Sequence, residues 1–306
     1  MDLGITGRIA VVTGGSEGIG LAAAHILAEE GANVVILART QSKLDAAVAE
    51  ISSTAVGEIE AISCDVSDQD SVTAAFDRIL DKWGKVDILV NNAGTGNANS
   101  FDDLTNELLS GDLQLKVFGA VYCSRAALPS MRENKWGRII NISGMAARGT
   151  GTTIGSIRNV SVVAMTKNLA DELGPDGINV TVVHPGATRT ERTAGVIADR
   201  ARSEGISEEE AERQMAQGNS TRRIVDAREI AYVVTFLASP KSVAINGDTV
   251  VVGVPRKDTQ GEDSGAAYAF VRSGPTWGLQ AKLLAIDVSA GDQLGASVAK
   301  DGDTTL

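Results

Sequence analysis

Along the first 186 residues, short apolar runs alternate with longer stretches in which apolar residues return every three or four positions. "RIAVVTG" ends in a glycine loop, and "IGLAAAHILAEEGA" then carries the helical spacing until Gly31 stops it. "NVVILAR", "EIEAISCDV", "KVDILVNNAG", "GRIINIS" and "INVTVVHPG" repeat the pattern, mostly with a helix-length segment between them. Each run reads as a buried strand, and parallel strands need helical crossovers between them. The pattern therefore predicts an α/β fold with a doubly wound parallel sheet covered on both faces.

From Thr190 to about Asp226 the pattern becomes charged and helical, with "SEEE" at Ser207 to Glu210 offering a capping box. A lid over a site and a solvated pair of surface helices both fit this segment. "DAREIAYVVTFLAS" predicts one more helix with Asp226 as its N-cap. After "SPK" the texture changes to turns, glycines and short alternating strands. "SVAINGDTVV", beginning at Ser242, returns as "SVAKDGDTTL" at Ser297, a period of roughly fifty residues that belongs with arrays and propellers.

Composition narrows the function. The 306-residue chain carries a formal net charge of -11 and a pI near 4.8, which disfavours a nucleic-acid partner and leaves small molecules or proteins. Cys64 and Cys123 are too few for a disulfide framework and suit a reducing compartment. "MDLGITGRIA" has no basic region before an apolar run, and no window is long enough to span a bilayer, so the expected location is cytoplasmic, with no membrane partner.

"TGGSEGIG", Thr13 to Gly20, lies between the first strand and the first helix, where glycines let the backbone approach a pyrophosphate at a helix N-terminus. "CDV" follows the third strand, "NNAG" the fourth and "HPG" the sixth, all at strand C-terminal ends. With these segments in this order and spacing, residues 5 to about 250 resemble the short-chain dehydrogenase/reductase family. The resemblance implies a Rossmann-type sheet in a domain of residues 1–250. It also implies that Gly14, Ser16, Gly18, Ile19 and Gly20 hold a diphosphate, Asp65 and Val66 an adenine, and Asn91, Ala93 and Gly94 the ribose and nicotinamide side, with Pro185, Gly186 and Thr190 at the carboxamide end. After the second strand, Ala38 stands where a carboxylate would bind the 2′-hydroxyl of NAD, and Arg39 follows. A guanidinium forks well onto a 2′-phosphate, so NADP is the expected cofactor and NAD the lesser candidate. Glu17 in the glycine loop argues the other way.

Members of the family work with serine, tyrosine and lysine plus an upstream asparagine. Anchored on "TKNLADELG", the comparison places Gly155 at the tyrosine position, Asn159 at the lysine position and Gln114 at the asparagine position. The serine position falls on Gly144, or on Ser143 with a slip of one. The tyrosines are Tyr122, Tyr232 and Tyr268, and four residues on stand Ala126, Phe236 and Arg272, so no tyrosine-to-lysine pair at that spacing exists in the chain. Tyr122, over two helical turns beyond Gln114, is poorly placed to substitute. The remaining candidates are His184, which titrates near working pH, and Ser143, which can orient a carbonyl. The plainer reading of each is a hydrogen bond to nearby backbone. Arg158 is a candidate for a substrate carboxylate.

The C-terminal residues 251–306 resemble part of an FG-GAP unit of integrin-like propellers, on "NGDTVVVGVP", "AAYAFVRS", the tryptophan of "GPTWGLQAKL" and "GDQLGASVA". A propeller needs several blades, and about one is present, which suggests a fused or truncated gene product. "SVAINGDTVVVG" suits either this unit or the last strand of the parallel sheet. The sequence thus predicts an atypical NADP-dependent oxidoreductase acting on a small carbonyl or alcohol, and the family resemblance implies a homo-oligomer, a dimer or tetramer, formed through the fourth and fifth helices. A non-catalytic NADP-binding or scaffolding protein is the alternative.

Overall fold

The computed structural model describes residues 1–96, 99–219, 221–243 and 245–247 in full, and beyond them the backbone of three strands. Two compact units make up the chain: Leu3–His184 with Arg228–Gly247, and Pro185–Ala227 with the terminal residues.

The first unit is built on six strands, β1 (Ile9–Thr13), β2 (Asn33–Ala38), β3 (Ile59–Ser63), β4 (Ile88–Asn91), β5 (Gly137–Ile142) and β6 (Ile178–Val183). They lie parallel in the order 3-2-1-4-5-6. Every residue of β1, β4 and β5 is buried, which is why apolar residues run consecutively in these strands rather than at alternate positions. Crossovers are made by α1 (Gly18–Glu29), α2 (Gln41–Ser52), α3 (Gln69–Trp83), then α4 (Asn106–Leu113) continuing into α5 (Gly119–Glu133), and α6 (Thr153–Leu173). On one face Val11, Val35, Leu89 and Val180 pack with Phe76, Ile79 and Met131. Cys64 and Cys123 are free and buried in the same core, and burial pushes both thiols up. Strand order reverses between β1 and β4, and ligands of such sheets sit outside the strand C-termini at that point.

The outer edge of β6 is met by loop residues rather than by a strand. Asn179 donates from its side chain to the carbonyls of Val243 (2.8 Å) and Ile245 (3.0 Å), while Val180 N–H donates to Asn246 Oδ1 at 2.8 Å. Gly247 N–H then reaches Val180 O at 2.9 Å, and Gly247, at φ +79°, forms a single parallel bridge with Thr181.

In the second unit, α7 (Thr193–Glu204) and α8 (Glu208–Gln217) enclose a small core of Ile197, Ala201, Ala211 and Ile224. Ser207 caps α8 by accepting from Glu210 N–H at 3.1 Å, but the Glu210 carboxylate is held by Arg213 at 2.7 Å and by Gln214 at 2.8 Å. Two-residue strands β7 (Thr188–Arg189) and β8 (Val225–Asp226) pair in parallel, and Asp226 directly precedes α9 (Ala227–Ala238). The segment is therefore a folded helical element with its own core. β9 (Thr249–Val254), β10 (Ala266–Ser273) and β11 (Thr276–Leu283) form an antiparallel meander. Of the two strands that "SVAINGDTVVVG" could supply, the chain makes β9 of this meander. The acidic "KDTQGEDSG", the second copy "SVAKDGDTTL" and the side chains of Trp277 and Leu283 lie outside the described residues.

Candidate active site

The glycine loop is fixed from below. Thr13 Oγ1 accepts from both Asn92 N–H and Ala93 N–H at 3.0 Å, and the Asn92 amide donates to the carbonyls of Thr13 (3.0 Å) and Gly14 (3.2 Å). This clamp of β1 onto the end of β4 involves two residues, Thr13 and Asn92, that the motif reading did not single out. Gly14 sits at φ +63°, and a Cβ on Gly20 would stand 2.2 Å from Gly14 O, so only glycine lets α1 pack this closely on the turn. The N-cap residue of α1, Glu17, makes no side-chain cap to the helix. Ser16, Gly18 and Ile19 are half-buried along the same turn.

Arg39 is exposed at the end of β2, and among the described residues its guanidinium has no ion-pair partner. Glu17 is held by Lys43, from the first turn of α2, at 2.8 Å. Lys43 was not a sequence candidate, because its approach to the glycine loop depends on how α2 leaves β2. Asp65 accepts from the Ser67 hydroxyl at 2.6 Å and from Ser67 N–H at 3.0 Å, which shapes the loop after β3, and Val66 is buried against Gly119.

Asn91 is the last residue of β4. Its side chain lies inside the sheet, donating to Asn141 Oδ1 at 2.9 Å and Ser124 Oγ at 3.2 Å, and Asn141 continues to Thr166 at 2.9 Å. The Asn91 Oδ1 is buried and has no hydrogen-bond partner among the described residues. Ala93 and Gly94 follow it, half-buried, at the strand end.

Around the strand ends of β5 and β6, the Ser143 hydroxyl is buried and donates to Asn159 O at 3.1 Å. His184 Nδ1 lies 3.3 Å from Gly144 O. Asn159 presses on the same loop: a Cβ on Gly144 would stand 3.1 Å from its Nδ2, and its Oδ1 is buried without a hydrogen-bond partner. Gly155 does not leave an open socket. Thr152 caps α6 by accepting from Gly155 N–H at 3.2 Å, and a Cβ there would meet Thr152 Oγ1 at 2.8 Å. Arg158 is buried and bound to Asp112 at 2.6 Å, with the Thr95 hydroxyl also donating to Asp112, so its charge is engaged internally.

Gln114 turns away from this site. It opens a π-helical turn, Gln114–Phe118, between α4 and α5, and donates to Ser67 O at 2.9 Å and to Tyr122 Oη at 3.1 Å. Two long side chains thus span the eight residues that separate them, and Tyr122 lines a cleft with Val72, Phe76 and Arg125 instead of the site. The residue that the same turn does deliver to the strand ends is Lys116. Its ammonium donates to Ser143 O at 3.1 Å and its stem runs beside Gly94. Burial, and then the charge of Arg158, push Lys116 down to about 8, against the pull of Asp112.

In the second unit, Asn219 organises the loop that holds Pro185, Gly186 and Thr190. It accepts from Ala187 N–H and donates to Ala187 O, both at 2.8 Å, and a Cβ on Gly186 would stand 2.1 Å from Asn219 Oδ1. Thr190 N–H donates to Thr193 Oγ1 at 2.8 Å. Among the described residues no helix is long and apolar enough to cross a membrane, and no cluster of three metal-ligating side chains occurs.

The short chain dehydrogenase family model matches residues 8–201, and an FG-GAP repeat model matches residues 241–270 and 277–306. The short-chain reductase protein NovJ of Streptomyces niveus is 35% identical over 245 residues, 80% of this chain and 92% of the relative. The 3-oxoacyl-acyl-carrier-protein reductase FabG of Vibrio cholerae is 32% identical, covering 82% of this chain and 97% of the relative. Among solved structures, L-sorbose reductase from Gluconobacter frateurii, complexed with NADPH and L-sorbose, superimposes with a TM-score of 0.77 at 29% identity over 81% of this chain and 95% of that one. With strand order, glycine turn and residue-level likeness in agreement over four fifths of its length, the chain belongs to the short-chain dehydrogenase/reductase family.

Proposed function

We propose that the protein is an NADPH-preferring reductase of a small carbonyl compound, working without the tyrosine and lysine of its relatives. The observation that carries this is the glycine turn: Gly14 at φ +63° and close packing at Gly20, at the N-terminus of α1, fit a dinucleotide pyrophosphate. Arg39 would take the 2′-phosphate, with Lys43 neutralising the one carboxylate that would repel it. When bound, the dihydronicotinamide supplies hydride; the chain's own residues position the carbonyl and move the proton. Sorbose reductase and FabG, named for carbonyl reduction, support the direction of reaction. The non-catalytic alternative has no observation in its favour.

The tail from 251 onward is inferred to be a partial β unit of the FG-GAP kind, distinct from a dehydrogenase domain of residues 1–250, in keeping with its three-stranded meander. A homo-oligomer is inferred from exposed apolar side chains on neighbouring helices: Leu108 on α4, Phe118 just before α5, and Ile157 and Val160 on α6. Calorimetry with NADPH and NADH, followed by a cofactor-oxidation screen across ketones and aldehydes, tests the function. Failure to bind either nucleotide would refute it.

A further inference from the structure

The geometry points to Lys116 as the catalytic acid of this site, donating the proton that a substrate carbonyl oxygen takes up as hydride reaches its carbon. The inference rests on the reductase reading above. Lys116 is carried to the strand ends by the π-helical turn, a device that shifts side-chain direction within a helix and recurs at functional sites. Its ammonium is placed between the C-terminal ends of β4 and β5, where Gly94 leaves room for its stem and Ser143 O receives one of its three protons at 3.1 Å. The other two N–H bonds are available to a ligand oxygen. Of the polar groups nearby, the Ser143 hydroxyl is spent on Asn159 O and Arg158 is bound to Asp112 and cannot release a proton.

In the step itself, the hydride electron pair forms the new C–H bond and the C=O π pair moves to oxygen. That oxygen bonds a proton from Lys116 Nζ, whose N–H pair stays on nitrogen, and the neutral amine then regains a proton from solvent. The charged groups facing Lys116 are Asp112 of α4, one helical turn earlier, and Arg158 of α6. Burial and Arg158 favour the neutral amine, so both forms are accessible near working pH, as a general acid requires.

The test begins with the protein free of nucleotide. Competitive acetylation with acetic anhydride from pH 6 to 11, read by mass spectrometry for each lysine, should give Lys116 a midpoint near 8, below that of free lysine measured in the same reaction. Asp112→Asn should move the Lys116 midpoint lower. NADPH turnover by the natural protein should fall above about pH 8. Lys116→Met should lose about 10²- to 10⁴-fold in kcat while still quenching NADPH fluorescence on binding. Lys116→Arg, which keeps the charge but holds its proton, should not rescue kcat, whereas a purely electrostatic or structural role would be rescued. A Lys116 midpoint equal to that of free lysine, turnover indifferent to Lys116→Met, rescue by arginine, or NADPH binding with no turnover of any carbonyl tried would each overturn the inference while leaving cofactor binding intact. A natural protein that binds no NADPH would overturn the reductase reading as well.

Discussion

Lys43 holds the carboxylate of Glu17 at 2.8 Å, so the acid that the sequence sets in the glycine loop does not present a bare charge to an incoming phosphate. Arg39→Ala should weaken NADPH binding by about tenfold and leave NADH almost unchanged, because a charge-assisted contact to the 2′-phosphate is lost. Lys43→Ala should weaken NADPH by roughly threefold, since the pair is half-exposed and screened. Calorimetry with both nucleotides checks the pair of variants; an equal loss for NADPH and NADH would contradict the assignment.

Replacing Lys116 should stabilise the fold. Its folded value, near 8, lies below that of an unfolded lysine, so at neutral pH folding works against the charged form. The penalty is complete below about pH 8 and is gone above the unfolded value, so the natural protein gains stability as pH rises between them. Lys116→Met should therefore raise the unfolding free energy at pH 7, read from urea denaturation, by on the order of 1–2 kcal/mol after allowing for solvent around the side chain, with the advantage shrinking toward pH 10.

Asp112→Asn should cost about 3 kcal/mol, the usual scale for removing one member of a buried ion pair. Arg158 would keep its charge in a buried place and Thr95 would lose an ionised acceptor. Urea denaturation checks the value. A loss under about 1 kcal/mol would mean that water reaches the pair.

Placing a tyrosine and a lysine at the positions that the family resemblance assigns to them should not speed the reaction. A side chain at Gly155 meets Thr152 Oγ1 at 2.8 Å, so Gly155→Tyr displaces the cap of α6, worth about 1 kcal/mol. Asn159→Lys must fit beside Gly144, already 3.1 Å from the Asn159 amide when given a Cβ. The double variant is expected to be less stable and no faster in NADPH oxidation than the natural protein.

The six strands and the glycine turn were legible because they rest on local signals: unbroken apolar runs, and glycines in a fixed phase with β1 and α1. The cap at Ser207 was legible for the same reason. The reading failed where tertiary geometry decides. Gln114 and Lys116 are two residues apart in one π-helical turn, and only its placement turns the first toward Ser67 and the second toward Ser143. The depressed basicity of Lys116 comes from burial and from Arg158, forty-two positions away in sequence, which no local pattern contains. Nor does the sequence reveal that Thr152, three residues before Gly155, folds back to accept from its N–H. Asn91 shares its motif with Ala93 and Gly94, yet strand pleating points its amide into the core.

A chain ending at Asp248 should fold, with a melting point within a few degrees of the full-length protein, and limited proteolysis should remove the tail before it cuts the parallel sheet. Among the described residues the meander has three strands, and an isolated three-stranded sheet is a weak element. Circular dichroism of the shortened chain and mass spectrometry of the digest check both expectations; a tail that outlasts the sheet would refute the second.

The bonds along β6 explain why such a cut would be harmless. Asn246 offers its side-chain oxygen to Val180 N–H as a neighbouring strand would offer a carbonyl, and Asn179 reaches back to the loop, so part of the outer edge of β6 is satisfied by residues up to Gly247. We infer from this that the parallel sheet can hold that edge with a substitute for a strand, built from two asparagine side chains and one glycine.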